Sequence, residues 1–268
     1  MPDADVPVYI DTTKASIARV YDAFLNGKDN YEIDREVLRR VQQVAPEART
    51  LAFDNRNFLI RVTRFIAGQT GITQYLDCGS GLPTAENTHQ VAQRIQPEAR
   101  VVYIDNDPVV LAHARALLRG SAEGFTTYVD ADLHEPEQIL RTAARSLDLD
   151  RPVALMLMNI LGHVPDLDDA RAIVGRLLDA LPAGSHLAVA DGTNVIDGEA
   201  FDAAIAIWNQ AGSLPYHLRR PEQIAGFFTG LELVEPGVVS CPLWRPGTTD
   251  VGAIVPVDEF CAVGRKVA

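Results

Sequence analysis

The chain has 268 residues, 47% hydrophobic and 22% charged, which suits one large α/β domain with a sizeable core. Its formal net charge of −12 has the wrong sign for phosphate backbones and anionic lipid surfaces, and so argues against nucleic-acid and membrane partners. No apolar run approaches the roughly 20 residues a bilayer span needs, and the start Met1-Pro2-Asp3-Ala4-Asp5 has neither the basic nor the apolar region of a signal peptide. The three cysteines, Cys78, Cys241 and Cys261, are far apart and lack metal-site spacing, which points to free thiols in a reducing, cytoplasmic setting.

The first seventy residues read as helical. Ile17, Val20, Tyr21, Phe24 and Leu25 recur at helical spacing until the turn formers Asn26-Gly27-Lys28-Asp29-Asn30 break the pattern. A second helix is predicted from Asp34 to Val44, stopping before Pro46, and a third from Ala48 to Ala67, ending at Gly68. From Ile72 short apolar runs alternate with helical ones. Strands are predicted at Gln74–Cys78, Arg100–Asp105, Thr126–Asp130, Val153–Met158 and His186–Ala190. Helices are predicted at Thr84–Ile95, Pro108–Arg119, Glu137–Arg145, Asp168–Ala180 and Gly198–Gln210, with a short one after Pro221. This alternation implies a parallel sheet covered on both faces. The chain ends on two strands, Leu231–Val239 and Glu259–Lys266, joined by a Pro/Gly-rich loop and expected to pair antiparallel. The pattern is that of a class I methyltransferase (Rossmann-like) fold: a mostly parallel seven-stranded sheet with an antiparallel last strand, over residues 71–268, with an N-terminal helical extension over residues 1–70.

The chemistry-bearing residues sit where such a sheet places ligands, at the carboxyl ends of the strands. Asp77-Cys78-Gly79-Ser80-Gly81 follows the first strand, and its glycines permit a tight turn and close approach to a ligand. Asp105 closes the second strand, where a carboxylate accepts from both ribose hydroxyls, while Asp107 before Pro108 is free to cap the next helix. Asn106 follows Asp105 in the same loop. NAD and S-adenosylmethionine both call for such an acid. A dinucleotide site wants a third glycine and a helix N-terminus facing pyrophosphate, whereas here Leu82-Pro83-Thr84 follows Gly81. The acid Asp77 before the first glycine repels pyrophosphate and suits a sulfonium and an ammonium group, so S-adenosylmethionine is favoured over NAD. Asp132-Leu133, after the third strand, either receives the adenine amino group and packs on the ring or caps the next helix. Asn159-Ile160-Leu161-Gly162-His163, after the fourth strand, reads either as the methyl-facing loop or as a solvated turn.

These residues belong to longer runs that resemble a known family. Ala18 to Tyr31, Asn55-Arg56-Asn57-Phe58-Leu59, Leu76 to Thr84 and Val102 to Val110 are similar to the bacterial, actinobacterial-type S-adenosylmethionine-dependent methyltransferases once catalogued as a domain of unknown function. The resemblance covers nearly the whole chain and implies the cofactor S-adenosyl-L-methionine more firmly than the acceptor. Many class I enzymes have a third glycine where this chain has Pro83, although Leu-Pro-Thr is usual in this family.

The N-terminal cluster Tyr21, Asn26, Lys28, Asn30 and Tyr31 reads either as a lid, with tyrosines for stacking and Asn26, Lys28 and Asn30 for the methionine carboxylate, or as a self-satisfied turn. Asn55 and Arg56 are candidates to join that carboxylate contact. His163 is the first candidate for a base, ahead of His134 and His217. Trp208, Trp244 and Tyr216 are candidates for an acceptor pocket or for core packing. The expected acceptor is a small molecule. A non-catalytic module binding S-adenosylmethionine or its demethylated product is the alternative, and an NAD-dependent oxidoreductase a weaker one.

Overall fold

The computed structural model describes residues 10–83, 86–117, 121–211, 214–247 and 254–267. Thr84, Arg119 and the first nine residues lie outside them. Three helices open the chain: α1 (Ile17–Phe24), α2 (Glu32–Val44) and α3 (Ala48–Gln69). Alternation follows as β1 (Gln74–Cys78), α4 (Thr88–Ile95), β2 (Arg100–Asp105), α5 (Pro108–Leu117), β3 (Phe125–Asp130), α6 (Pro136–Ala143), β4 (Ala154–Met158), α7 (Leu167–Asp179) and β5 (His186–Gly192). The chain closes with α8 (Gly198–Ala211), α9 (Pro221–Ala225), β6 (Leu231–Leu233), β7 (Val239–Ser240) and β8 (Glu259–Lys266).

The sheet order is β3-β2-β1-β4-β5-β8-β6, with β7 also paired to β8. Strands β1 to β5 run parallel, and β8 is antiparallel to β5, β6 and β7. The predicted mostly parallel sheet with an antiparallel last strand is therefore present. The predicted strand Leu231–Val239 is instead two pieces, because the chain leaves the ladder at the cis Glu235–Pro236 bond and at Gly237, whose φ is +84°. Both pieces lie along β8, so eight strands fill seven places.

Helix α3 passes through Gly68 rather than ending there; the left-handed residue that closes the turn is Gly71, with φ +73°. Helix α4 starts at Thr88, later than predicted, because Asn87 and Gln90 form a capping box there.

Three cores hold the layers. On one face, Phe58, Val62 and Ile66 of α3, all fully buried, pack on Tyr75, Tyr103 and Met156 together with Trp244. Their i, i+4, i+8 spacing places them on one stripe, and each such burial contributes roughly 1.5–3 kcal/mol. On the other face Ile139, Ile173, Leu177, Ile224 and Phe227 cover Leu155 and Leu157. The third core joins α1 and α2 to α8 through Val20, Phe24, Val37, Val41, Phe201 and Ala204. The segment up to residue 70 thus has two destinations: α3 is part of the sheet's covering layer, and α1 with α2 builds onto α8. Among the described residues no helix is long and apolar enough to cross a membrane.

Candidate active site

Each parallel strand has a polar residue within one position of its carboxyl end (Asp77, Asp105, Asp130, Asn159 and Asp191), and the antiparallel β8 brings its first residue to the same edge. A cavity of about 700 Å³ opens there, within the roughly 300–1,000 Å³ of small-molecule sites. Asp77, Gly79, Ser80, Gly81, Asp105, Asn106, Asp132, Leu133 and Asn159 all line it. So do Tyr21, Asn55 and Arg56 from the helical segment and His163 from the loop after β4.

The glycine turn is shaped for close approach. Gly79 and Gly81 have φ of +75° and +63°, and a Cβ on Gly79 would stand 2.5 Å from the Ile160 side chain. The Asp105 carboxylate receives the Asp107 N–H on Oδ1 at 3.0 Å and the Gly81 N–H on Oδ2 at 2.9 Å. These two bonds fix its orientation and leave a further lone pair on each oxygen, which suits a vicinal diol. Asp77 is buried, and its Oδ2 accepts from Thr88 Oγ1 at 2.6 Å. Burial pushes its carboxyl up to about 6, against the pull of Thr88 and Arg56. Asp132 accepts from the backbone N–H of His134 at 2.9 Å and faces that imidazole at 2.8 Å, so it combines a turn-closing role with a place on the cavity wall.

The tip of the N-terminal turn behaves differently. Asn26, Lys28 and Asn30 are not among the residues lining the cavity. Asn30 Nδ2 donates to the buried Asp22 carboxylate at 2.7 Å and to the Gly27 carbonyl at 3.0 Å, Asn26 Oδ1 accepts from Arg49, and Lys28 is exposed. The turn folds around Asp22, and these three residues stand outside the cavity wall that the other candidates share. Tyr31 is likewise away from the cavity, under the Arg19 guanidinium at 5.3 Å. Tyr21 does face the cavity, its hydroxyl accepting from Asn55 Nδ2 at 2.9 Å.

Beyond the Asn159 loop the cavity wall turns apolar and aromatic, with Phe24, Phe201, Ile205, Trp208 and Tyr216. Trp244 is instead fully buried against Phe58, at 5.3 Å between ring centroids. His163 Nδ1 lies 3.0 Å from the Pro215 carbonyl, which assigns the proton to Nδ1 and leaves Nε2 as an acceptor. Burial lowers its pKa, so the ring is neutral at neutral pH. His217 is exposed and outside the cavity.

Two acids at this end escaped the sequence reading. Asp191, closing β5, is fully buried, takes the Tyr216 hydroxyl, and pairs with Arg219 at 3.0 Å. Glu259, opening β8, is 1% exposed and lines the cavity. The signal for Asp191 was present, since it stands next to last in β5 much as Asp105 closes β2.

A parallel sheet closed by an antiparallel strand, with a glycine turn after β1 and an acid ending β2, defines a class I methyltransferase fold. The chain belongs to the S-adenosyl methyltransferase family, whose model matches residues 3–267. It is 40% identical to a DUF574 family protein from Streptomyces avermitilis, over 96% of this chain and 100% of that one, with a TM-score of 0.91. A Thermobifida fusca protein is also 40% identical, over 96% and 97%, with a TM-score of 0.86. A SAM-dependent methyltransferase from Anabaena variabilis shares the fold at 14% identity, with coverage of 94% and 96% and a TM-score of 0.51. Comparison with curated proteins finds no match. The protein is an S-adenosylmethionine-dependent methyltransferase, which sets aside the oxidoreductase and the non-catalytic readings.

Proposed function

We propose that this enzyme methylates a small molecule held between α1, α8 and the carboxyl ends of β4 and β5. The carrying observation is the division of one cavity into two chemistries. Near β1 and β2 it is lined by acids and glycine backbone; near α1 and α8 it is lined by Phe24, Phe201, Ile205 and Trp208. The residues fit the cofactor. Asp105 holds the ribose diol, Gly79 to Gly81 pass beneath, Asp77 offsets positive charge, and Leu133 with Asp132 and Asn106 meets the adenine end. Asn159, Tyr21, Asn55 and Arg56 surround the methionine end. When bound, S-adenosylmethionine supplies a methyl group activated by its sulfonium.

The chain's own work is then positioning, exclusion of water and proton handling. The apolar wall keeps water from the acceptor. His163, neutral and with Nε2 unprotonated, receives a proton from an acceptor that has one to lose.

The test is labelling. Protein incubated with methyl-labelled S-adenosylmethionine and a fractionated cell extract is expected to place label in low-mass compounds, and H163Q is expected to lower kcat about 100-fold with little change in cofactor affinity. Label confined to macromolecules would overturn the reading.

A further inference from the structure

We propose that Glu259 recognises the acceptor, and that the acceptor carries a basic amine on an apolar body. This rests on the small-molecule reading above and goes further by naming the group that is bound. Oε1 of Glu259 is buried and has no hydrogen-bond partner among the described residues, while its side chain lines the cavity. A buried carboxylate oxygen without a donor is costly, so this position calls for a ligand that donates.

The surroundings select the kind of donor. Asp191, Asp54 and Asp258 all act on Glu259 as like charges, and the Asn159 amide is its hydrogen-bonding neighbour. Arg56, on the same cavity wall, donates to Asn87 Oδ1 at 2.9 Å, and two further arginines have partners of their own. Arg219 donates to Asp191 and to the Val164 carbonyl, and Arg61 donates to the carbonyls of Cys241 and Trp244. Burial first, and then Asp191, raises the Glu259 carboxyl well above the ordinary range. A cation seated here restores the ionised form and forms a charge-assisted bond, whereas a carboxylate or phosphate group would be repelled.

Asn159 also borders the place assigned to the methionine end, so the cofactor's ammonium is the competing occupant, and distance from the Asp77 turn favours the acceptor. Strands lie about 4.8 Å apart and β8 stands three places from β1, so Glu259 begins roughly 14 Å across the sheet from the Asp77 turn. It stands at the end of the cavity where the aromatic wall begins.

Calorimetry on the full chain saturated with S-adenosylhomocysteine tests the assignment, with 2-phenylethylamine and tryptamine against their alcohol counterparts 2-phenylethanol and tryptophol. The amines are expected to bind at least about tenfold tighter than the alcohols, the scale of one charge-assisted hydrogen bond. E259Q is expected to bring the two classes to within about threefold while leaving the affinity for S-adenosylhomocysteine unchanged. Alcohols binding as tightly as amines, or no amine binding at all, overturns the proposal. So does E259Q weakening S-adenosylhomocysteine about tenfold, which would assign the carboxylate to the cofactor. If E259Q does not fold, the amine–alcohol contrast in the unmodified protein decides. Labelled low-mass products without an amine preference reject this inference alone; label confined to macromolecules rejects the small-molecule reading beneath it.

Discussion

Asp105 takes one backbone N–H on each carboxylate oxygen, so its direction is set before any ligand arrives. Removing it in D105A deletes two acceptors for the ribose diol. The affinity for S-adenosylhomocysteine is then expected to fall about 10- to 100-fold, read by calorimetry, with one hydrogen bond to a charged group contributing about 1.5–3 kcal/mol. Unchanged affinity would remove the ribose assignment. Asp77 makes a different prediction because its carboxyl titrates near 6 in the fold, against 3.8 as the unperturbed value. The fold holds that proton more tightly than the unfolded chain. The resulting stabilisation is complete below about 3.8 and is lost as pH rises through about 6. Above that, the buried charge costs the unliganded protein on the order of 3 kcal/mol. D77N is therefore expected to have the higher Tm at pH 7.5, with the gap closing towards pH 4. S-adenosylmethionine affinity is expected to fall below about pH 6 in the parent and to stay flatter in D77N. A parent profile with no change across that range would show that Asp77 does not face the cofactor's positive charge. Both aspartates were legible in the sequence because each is local, one turn from its glycine or its strand end. Glu259 was not, because it reaches the site only through antiparallel pairing of β8 with β5, far along the chain.

The elements were legible where local signals agree. Strands β1, β2 and β8 were placed to the residue because a turn former bounds each apolar run: Gly79 after β1, Asn106 after β2 and Asp258 before β8. Strand β6–β7 was misread because the apolar pattern continues through a break made by Pro236 and Gly237. The polar loop after α1 carried a subtler ambiguity. Asn26, Lys28 and Asn30 look like ligand groups in sequence, but the carboxylate that two of the loop's donors serve, Asp22, is supplied by α1 itself. The same helix is anchored by a buried pair: Arg19 Nε meets Asp34 Oδ2 at 2.9 Å, with side chains 3% and 0% exposed. Asp34 also receives the N–H groups of Ser16 and Tyr31, so one carboxylate joins the starts of α1 and α2. R19M is expected to destabilise the protein by about 3–5 kcal/mol, since the buried Asp34 charge loses its partner. R19M/D34N is expected to recover part of the loss. Urea unfolding measures both. Equal stability of R19M and the parent would mean the α1–α2 unit contributes nothing to the cooperative fold.

At the scale of the molecule, the question is whether α1 and α2 act as a cover coupled to the ligand. Their core is shared with α8 and with Ala48 and Ala52 of α3, and Ala18 of α1 also packs on Leu82, Val109 and Val110. Tyr21 and Phe24 of α1 form part of the cavity wall, and Ser16 Oγ ties the start of α1 to Asp107 at 2.9 Å, two residues from Asp105. An opening of α1 and α2 would therefore break the cavity wall. Any opening that abolishes binding is suppressed by the ligand, by about 2.7 kcal/mol at one hundred times Kd, which is close to 100-fold in exchange rate. Hydrogen exchange with S-adenosylhomocysteine at that concentration is expected to slow the α1 and α2 amides towards this limit. Amides of α9, which does not line the cavity, are expected to keep their rates. Slowing restricted to the ends of β1 and β2 would separate the cover from the ligand and leave α1 and α2 as a fixed wall. Slowing of both helices would support an order in which the cofactor seats first and the acceptor then binds against the wall that α1 and α8 complete.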